Sequence, residues 1–357
     1  MPFPVARLAP SPTGAQHVGN ARTFLLAWLS ARSQRGRVIL RIEDIDSPRV
    51  KPWAVQQAID DLKWLGLDWD EGPDIPPVPS PPSAEERVRG PVADASRSQS
   101  NRYIQTHRLD LYRAALAELQ SRELVYPCTC TRSDVEAAAS APHAGQEGPL
   151  YPGTCRHRSV ADAAAVKNQP FSWRFRFLCP PCQGGGGGGN FRDAAMTFLD
   201  LHAGPQHCDV ARELGDFVIA KSDGSPAYQL AVVVDDHDMG ITEVVRGNDL
   251  IPSTFRQLAL YDAFGWTPPQ FAHVPLVIGP DGRRLAKRHG DTRLSVLRDS
   301  GVPAERLVGF LAHTCRLQPT SEPIAARELI PRFEWNRLPH EPLVFTSQMW
   351  QELISAS

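Results

Sequence analysis

The sequence predicts an α/β fold built on a doubly wound parallel sheet, from three observations. Short β-branched runs alternate with longer helical patterns along the chain. A strand that ends in two prolines and a glycine is followed at once by a helix opening. The length, 357 residues, corresponds to about two domains at ~150 residues each. A sheet of this kind takes its ligands at the carboxyl ends of its strands. The residues just after each strand are therefore the first candidates for function.

Val5–Ala9 reads as the first strand, closed by Pro10-Ser11-Pro12-Thr13-Gly14. Residues 18–34 follow as a helix whose apolar face carries Phe24, Leu25, Trp28 and Leu29. Val38–Ile42 is a β-branched strand and 52–65 the next helix. Tyr228–Val234 reads as a fully buried strand, 253–264 as a helix, and Phe271–Ile278 as a further strand.

Composition narrows the class. Thirty-eight Lys+Arg against 40 Asp+Glu leave a net charge of −2, which excludes binding of nucleic acid by bulk charge. An RNA partner would have to meet a local basic patch. Apolar residues at 42% and charged residues at 22% support folded cores. No apolar run reaches the roughly 18 residues of a membrane span, and Met1–Arg7 lacks the signal-peptide pattern. A cytoplasmic location without membrane contact is expected. Thirty-three prolines and 26 glycines imply insertions. Residues 75–97, rich in Pro, Ser and charge, read as a mobile surface insertion. Residues 179–190 hold six consecutive glycines and read as a flexible linker.

Two patterns carry chemistry. His17-Val18-Gly19-Asn20 opens the first helix. Its unpaired N–H groups and about half a positive charge attract phosphate, Gly19 admits a flat purine, and His17 can donate to phosphate oxygens. The seven cysteines are an odd number and argue against a disulfide framework and for metal binding. Cys128, Cys130 and Cys155 offer three thiolates, and a tetrahedral zinc site needs a fourth ligand, for which His143 and His157 are available. Cys179 and Cys182 have metal-like spacing but abut the glycine run and read as incidental.

Taken together, Arg7-x-Ala9-Pro10-Ser11-Pro12-Thr13-Gly14-x-x-His17-x-Gly19-Asn20 and Arg41-Ile42-Glu43-Asp44-Ile45-Asp46-x-x-Arg49 resemble the catalytic core of class I glutamyl-tRNA synthetases. The resemblance continues through Leu65–Pro73 and Tyr103-x-Gln105-Thr106-x-Arg108-x-x-x-Tyr112, where the family usually has Ser in place of Thr106. It resumes at Asp216–Val218, Ala227–Ala231 and Val245-Arg246-Gly247-x-Asp249-Leu250, and covers most of residues 5–315. The family's lysine loop is similar to Gly282–Gly290, but of its two lysines only Lys287 survives, with Arg284 at the first position.

This resemblance implies a Rossmann-like catalytic domain in two halves, 1–115 and 213–300. Between them it implies an inserted, acceptor-binding-like zinc subdomain at 116–212, with the linker at 183–189, and after them a short helical region at 301–357. It implies that Arg7, Ala9, Ser11, Glu43, Tyr228 and Arg246 surround glutamate. His17, Gly19, Asn20 and Lys287 would face ATP, which arrives with Mg²⁺, and His17 and Lys287 would be catalytic. Arginine suits the carboxylates because it binds them bidentately. The resemblance also names Tyr151, in Tyr-Pro-Gly-Thr-Cys, as the fourth ligand of one structural zinc beside Cys128, Cys130 and Cys155.

Only 67 residues follow Gly290, too few for the usual anticodon-reading domains. The short chain and its Cys-x-Cys and Tyr-x-x-x-Cys patterns resemble the glutamyl-Q tRNA(Asp) synthetase family. That implies activation of L-glutamate without tRNA, then transfer to queuosine in the anticodon of tRNA(Asp), by a monomer. The alternatives are a truncated glutamyl-tRNA synthetase charging the acceptor end and a non-catalytic RNA-binding module.

Overall fold

The structure, a computed structural model, describes residues 3–45, 50–75, 101–138, 150–177, 195–285 and 292–355. Asp46, Arg49, His143, Cys179, Cys182 and Lys287 lie outside them, as do the glycine run and all of the expected insertion except Ile75. The chain divides into two compact units, one comprising Met1–Arg108, Ile241–Asn248 and Phe271–Ser357, the other Leu109–Gly240 and Asp249–Gln270.

The first unit is built on a four-stranded sheet. Its strands are β1 (Val5–Leu8), β2 (Arg37–Leu40), β8 (Glu243–Gly247) and β9 (Gln270–Val274), in the order β2-β1-β8-β9. β1 runs parallel to β2, with Leu8 opposite Leu40, and parallel to β8, with Ala6 opposite Glu243. All three strands are almost wholly buried, as expected when both faces of a parallel sheet are covered. Helix α1 (Val18–Ser33) is buried nearly all round, including Ala21, Arg22, Leu26 and Ala27. The expected apolar face is therefore too narrow, and Phe24 is only half-buried. Buried Arg22 is held by the carbonyl of Pro275 at 2.5 Å and by Cys315 Sγ at 3.3 Å. Helix α2 (Pro52–Trp64) starts on a proline at its first position, where the missing N–H costs nothing.

One expected strand is split. Pro275 ends β9, and the apolar run resumes as β10 (Val277–Ile278), which pairs in parallel with β11 (Leu343–Val344). A proline cannot donate to a ladder. The C-terminal region is helical in part, with helices at Leu294–Asp299, Ala304–Thr314 and Ser347–Ser355.

The second unit holds an antiparallel sheet of β3 (Val125–Cys128), β4 (Ser172–Phe175) and β7 (Phe217–Ala220), and a hairpin of β5 (Ala195–Asp200) and β6 (Gly204–Asp209). Here one expectation fails. Tyr228–Val234 is not a strand but the start of a helix, Tyr228–Asp238, with Leu230 to Asp236 all buried. An apolar run buried on every side has no period to distinguish strand from helix. The deciding contacts are polar. Gln229 donates to Ser253 Oγ at 2.8 Å and accepts from Gln257 at 3.0 Å, while Tyr112 donates to buried Asp235 at 2.9 Å. No helix among the described residues is long and apolar enough to cross a membrane.

Candidate active site and cysteine cluster

In the first unit the segments that leave β1 and β2 run side by side. Arg41 N donates to Leu8 O at 2.9 Å, Glu43 N to Pro10 O at 3.1 Å and Lys51 N to Pro12 O at 3.0 Å. Parallel pairing therefore carries Ala9 and Ser11 alongside Glu43, at the strand ends where such sheets bind ligands. Ser11 is exposed there and Ala9 half-buried.

Arg7 and Arg246 are both buried, on adjacent strands. Arg7 Nη1 donates to Val245 O at 3.3 Å. Arg246 is oriented from behind, its Nε donating to His273 Nε2 at 3.1 Å and its guanidinium lying 5.4 Å from the centre of the Phe271 ring. Accepting that bond requires His273 to be neutral and protonated on Nδ1. Glu43 is held by fully buried Arg41, 3.0 Å away. Asp44 accepts from Thr106 through both its backbone N at 2.8 Å and its Oγ1 at 2.7 Å. Threonine thus does the work of the serine usual at this position, because the bond needs only a hydroxyl. The supporting roles of Arg41, Asp44, Phe271 and His273 were missed in the sequence. Arg41 and Asp44 lie inside a recognised motif, whereas nothing local marks Phe271 or His273.

His17 is the N-cap of α1. Its Nδ1 accepts from Gly19 N at 3.1 Å, and its own N–H donates to Asn20 Oδ1 at 3.1 Å. With Nδ1 occupied as an acceptor, the neutral ring carries its proton on Nε2 and can donate from there. Burial, reinforced by the charge of Arg284, lowers the His17 pKa to about 4. The first turn of α1 carries no acidic residue, so the positive end of the helix is unopposed. A Cβ on Gly19 would lie 2.9 Å from the His17 ring, so glycine is required for the ring to sit where it does. Asn20 serves as a cap here. Arg284, from the start of the lysine loop, is fixed on β10 by a bridge to Ile278, and Leu285 N donates to Val277 O at 3.1 Å. Tyr228 belongs to the second unit, where it opens a helix.

Also in the second unit, the thiol sulfurs of Cys128, Cys130 and Cys155 lie within 4.8 Å of one another. Cys130 and Cys155 are 3.7 Å apart, close to the edge of about 3.8 Å that a tetrahedron with ~2.3 Å zinc–sulfur bonds demands. Tyr151 Oη is 3.3 Å from Cys128 Sγ and 3.7 Å from Cys130 Sγ, and accepts from Cys155 N at 2.8 Å. The oxygen beside the three sulfurs is thus the Tyr151 phenol, while His157 is exposed and outside the cluster. Burial pushes the Cys130 thiol up to about 11 and raises Tyr151 as well. At Cys155 burial acts the same way, but bonds from Thr129, Tyr151 and Cys130 outweigh it and bring the thiol down to about 7. The donor set fits a divalent soft metal, and of Cys130 and Cys155 the latter is the readier to ionise.

A histidine-capped helix N-terminus suits a nucleotide phosphate, and two buried arginines in the same unit suit an anionic second ligand. Comparison with known proteins gives this class a family. Residues 5–352 match the family described as tRNA synthetases class I (E and Q), catalytic domain. A relative from Rhodopirellula baltica named glutamyl-Q tRNA(Asp) synthetase is 47% identical over 95% of this chain and 96% of its own. One of the same name from Symbiobacterium thermophilum is 47% identical over 94% of each chain. The crystal structure of a glutamate tRNA ligase from Elizabethkingia meningosepticum, in complex with its amino acid, superposes with a TM-score of 0.73 at 26% identity, covering 99% of this chain and 69% of that one. The chain belongs to the class I glutamyl and glutaminyl tRNA synthetases, a family of ligases with a parallel-sheet α/β fold.

The geometry of His17 makes a direct prediction. Because its pKa is depressed, the ring stays neutral down to about pH 5 and takes a proton only as the pH falls towards about 4. Nitrogen-15 NMR should find the Nε2–H tautomer throughout pH 5 to 8, roughly the range in which histidines titrate. A midpoint near the ordinary 6.5 would contradict the burial and capping described here.

Proposed function

We propose that the enzyme activates L-glutamate with ATP, without needing tRNA, and then esterifies it to queuosine in the anticodon of tRNA(Asp). The observation that carries this reading is the pair of buried arginines, Arg7 and Arg246, at the carboxyl ends of adjacent strands, in a chain whose relatives of matching length bear the glutamyl-Q name. Glutamate dehydrated into such a site brings two carboxylates that need cationic partners. In this reading Arg7 and Arg246 bind them, Glu43 holds the ammonium, and Ala9 and Ser11 line the near wall.

In the first step a glutamate α-carboxylate oxygen attacks the α-phosphorus of ATP. The bond to the β-phosphate bridging oxygen breaks, and pyrophosphate leaves. His17 donates from Nε2 to phosphate oxygen, the N-terminus of α1 adds its N–H groups beside Gly19 and Asn20, and Lys287 neutralises the departing charge. Class I synthetases use ATP with Mg²⁺, which when bound would share that neutralisation. In the second step a ring hydroxyl of queuosine attacks the activated carbonyl, the bond to the adenylate phosphate breaks, AMP leaves and the hydroxyl proton is released. One zinc on Cys128, Cys130, Tyr151 and Cys155 pins the surrounding subdomain when bound.

Labelled glutamate offered with tRNA(Asp) should be transferred only when queuosine is present, and nuclease digestion should find it in the anticodon fragment. Label on the acceptor end, independent of queuosine, would make this a charging enzyme instead. For amino-acid choice, Arg246→Ala should raise the glutamate KM by roughly 10- to 100-fold, the loss of a charge-assisted pair of about 1.5–3 kcal/mol, with the ATP KM little changed. An unaltered glutamate KM would remove Arg246 from the pocket. Lys287→Ala should slow adenylate formation by about 100- to 1000-fold, the scale for one electrostatic contact made in the transition state. If that variant is unimpaired while Arg284→Ala is inactive, the role belongs to Arg284, whose charge already reaches His17.

A further inference from the structure

The cysteine cluster has a companion that the four donors do not explain. Arg174, on β4, donates from Nε to Cys128 Sγ at 3.3 Å, and its guanidinium carbon lies 3.8 Å from the centre of the Tyr151 ring. Its Nη1 is tied to Asp216 O at 3.2 Å. β4 pairs antiparallel with β3, with Ser172 opposite Cys128, so Arg174 is brought against the donors by sheet register. Further bonds stiffen the support: Asp216 accepts from Tyr126 Oη at 2.7 Å and from Phe177 N at 2.8 Å, and pairs with Arg156.

Charge explains why a cation there matters. Three thiolates and a phenolate around a divalent ion carry a net charge of roughly −2, in a cluster whose Tyr151, Cys128 and Cys155 are buried. Each contact of Arg174 strengthens when its partner ionises. A thiolate accepts a hydrogen bond better than a thiol, and an electron-rich phenolate ring attracts a cation more than a phenol does.

Building on the zinc reading above, we propose that Arg174 is the positioning residue of the metal centre. It touches two of the four donors with one fixed cation and orients both, which lets tyrosine serve where cysteine or histidine is usual. Groups that orient metal ligands typically govern affinity by 10- to 100-fold. A planar guanidinium that stacks and donates at once cannot be copied by an ammonium.

The test is zinc affinity of the full chain, measured by competition with a chromogenic chelator. Arg174→Gln should weaken binding by about 10- to 100-fold, and Arg174→Lys should fall in between. In the cobalt-loaded protein, Arg174→Gln should shift the ligand-field band in the same direction as Tyr151→Phe, as the phenolate gives way to water. Circular dichroism of the metal-saturated variants checks that the fold is kept; if Arg174→Gln does not fold, Arg174→Lys decides the matter alone. Wild-type zinc affinity, to within about twofold, in whichever variant decides, together with an unshifted cobalt band, would overturn the role of Arg174 while leaving the zinc site intact. A wild-type protein that binds no zinc would overturn both.

Discussion

The parallel ladder that joins β1 to β2 on one side and β8 on the other governs the candidate active site. It fixes Leu8 opposite Leu40 and Ala6 opposite Glu243, so the chain leaves all three strands on one edge. A register slip by one residue would turn every side chain to the other face, and Arg7 and Arg246 would no longer lie buried on neighbouring strands. The buried arginines, the Arg41–Glu43 pair and the turn into α1 are consequences of that pairing. Their electrostatics follow from burial. Charged groups out of water interact strongly, and a preformed arrangement of them needs little rearrangement when charge develops on a substrate.

The groups of the candidate site are therefore held in place by their neighbours. His273 and Phe271 fix the Arg246 fork, the Gly19 N–H fixes the His17 tautomer, and Thr106 fixes Asp44. The cysteine cluster in the second unit follows the same logic, with Cys155 N and Arg174 addressed to the phenol and thiols that a metal would gather. In each case a neighbour fixes the direction or hydrogen-bonding state of a buried or half-buried polar group.

Much of this was legible in the sequence because it is local. The turn after β1, the His17–Asn20 helix opening and the Arg41–Asp44 segment are contiguous motifs, and they folded as read, as did α2. What the sequence hid depends on distant partners. The run Tyr228–Val234 looks the same as strand or buried helix until Gln229 meets Ser253 and Gln257. Pro275 cut one apolar run into two strands that belong to different sheets. His273 and Arg174 carry no motif, since their importance comes only from the Arg246 side chain and the Tyr151 ring they touch. Spacing offered His143 or His157 and only the resemblance named Tyr151; the fold turns Tyr151 inwards and His157 outwards, and His143 lies outside the described residues.

The central claim is that a preformed cationic pocket selects glutamate for activation by ATP. Glutamate-dependent exchange of labelled pyrophosphate into ATP, run with no tRNA present, tests it most directly. The account predicts exchange with glutamate alone, and a rate at least about 100-fold lower with glutamine, whose uncharged amide leaves a buried arginine without its anion. Exchange that needs tRNA, or that proceeds equally well with glutamine, would contradict it.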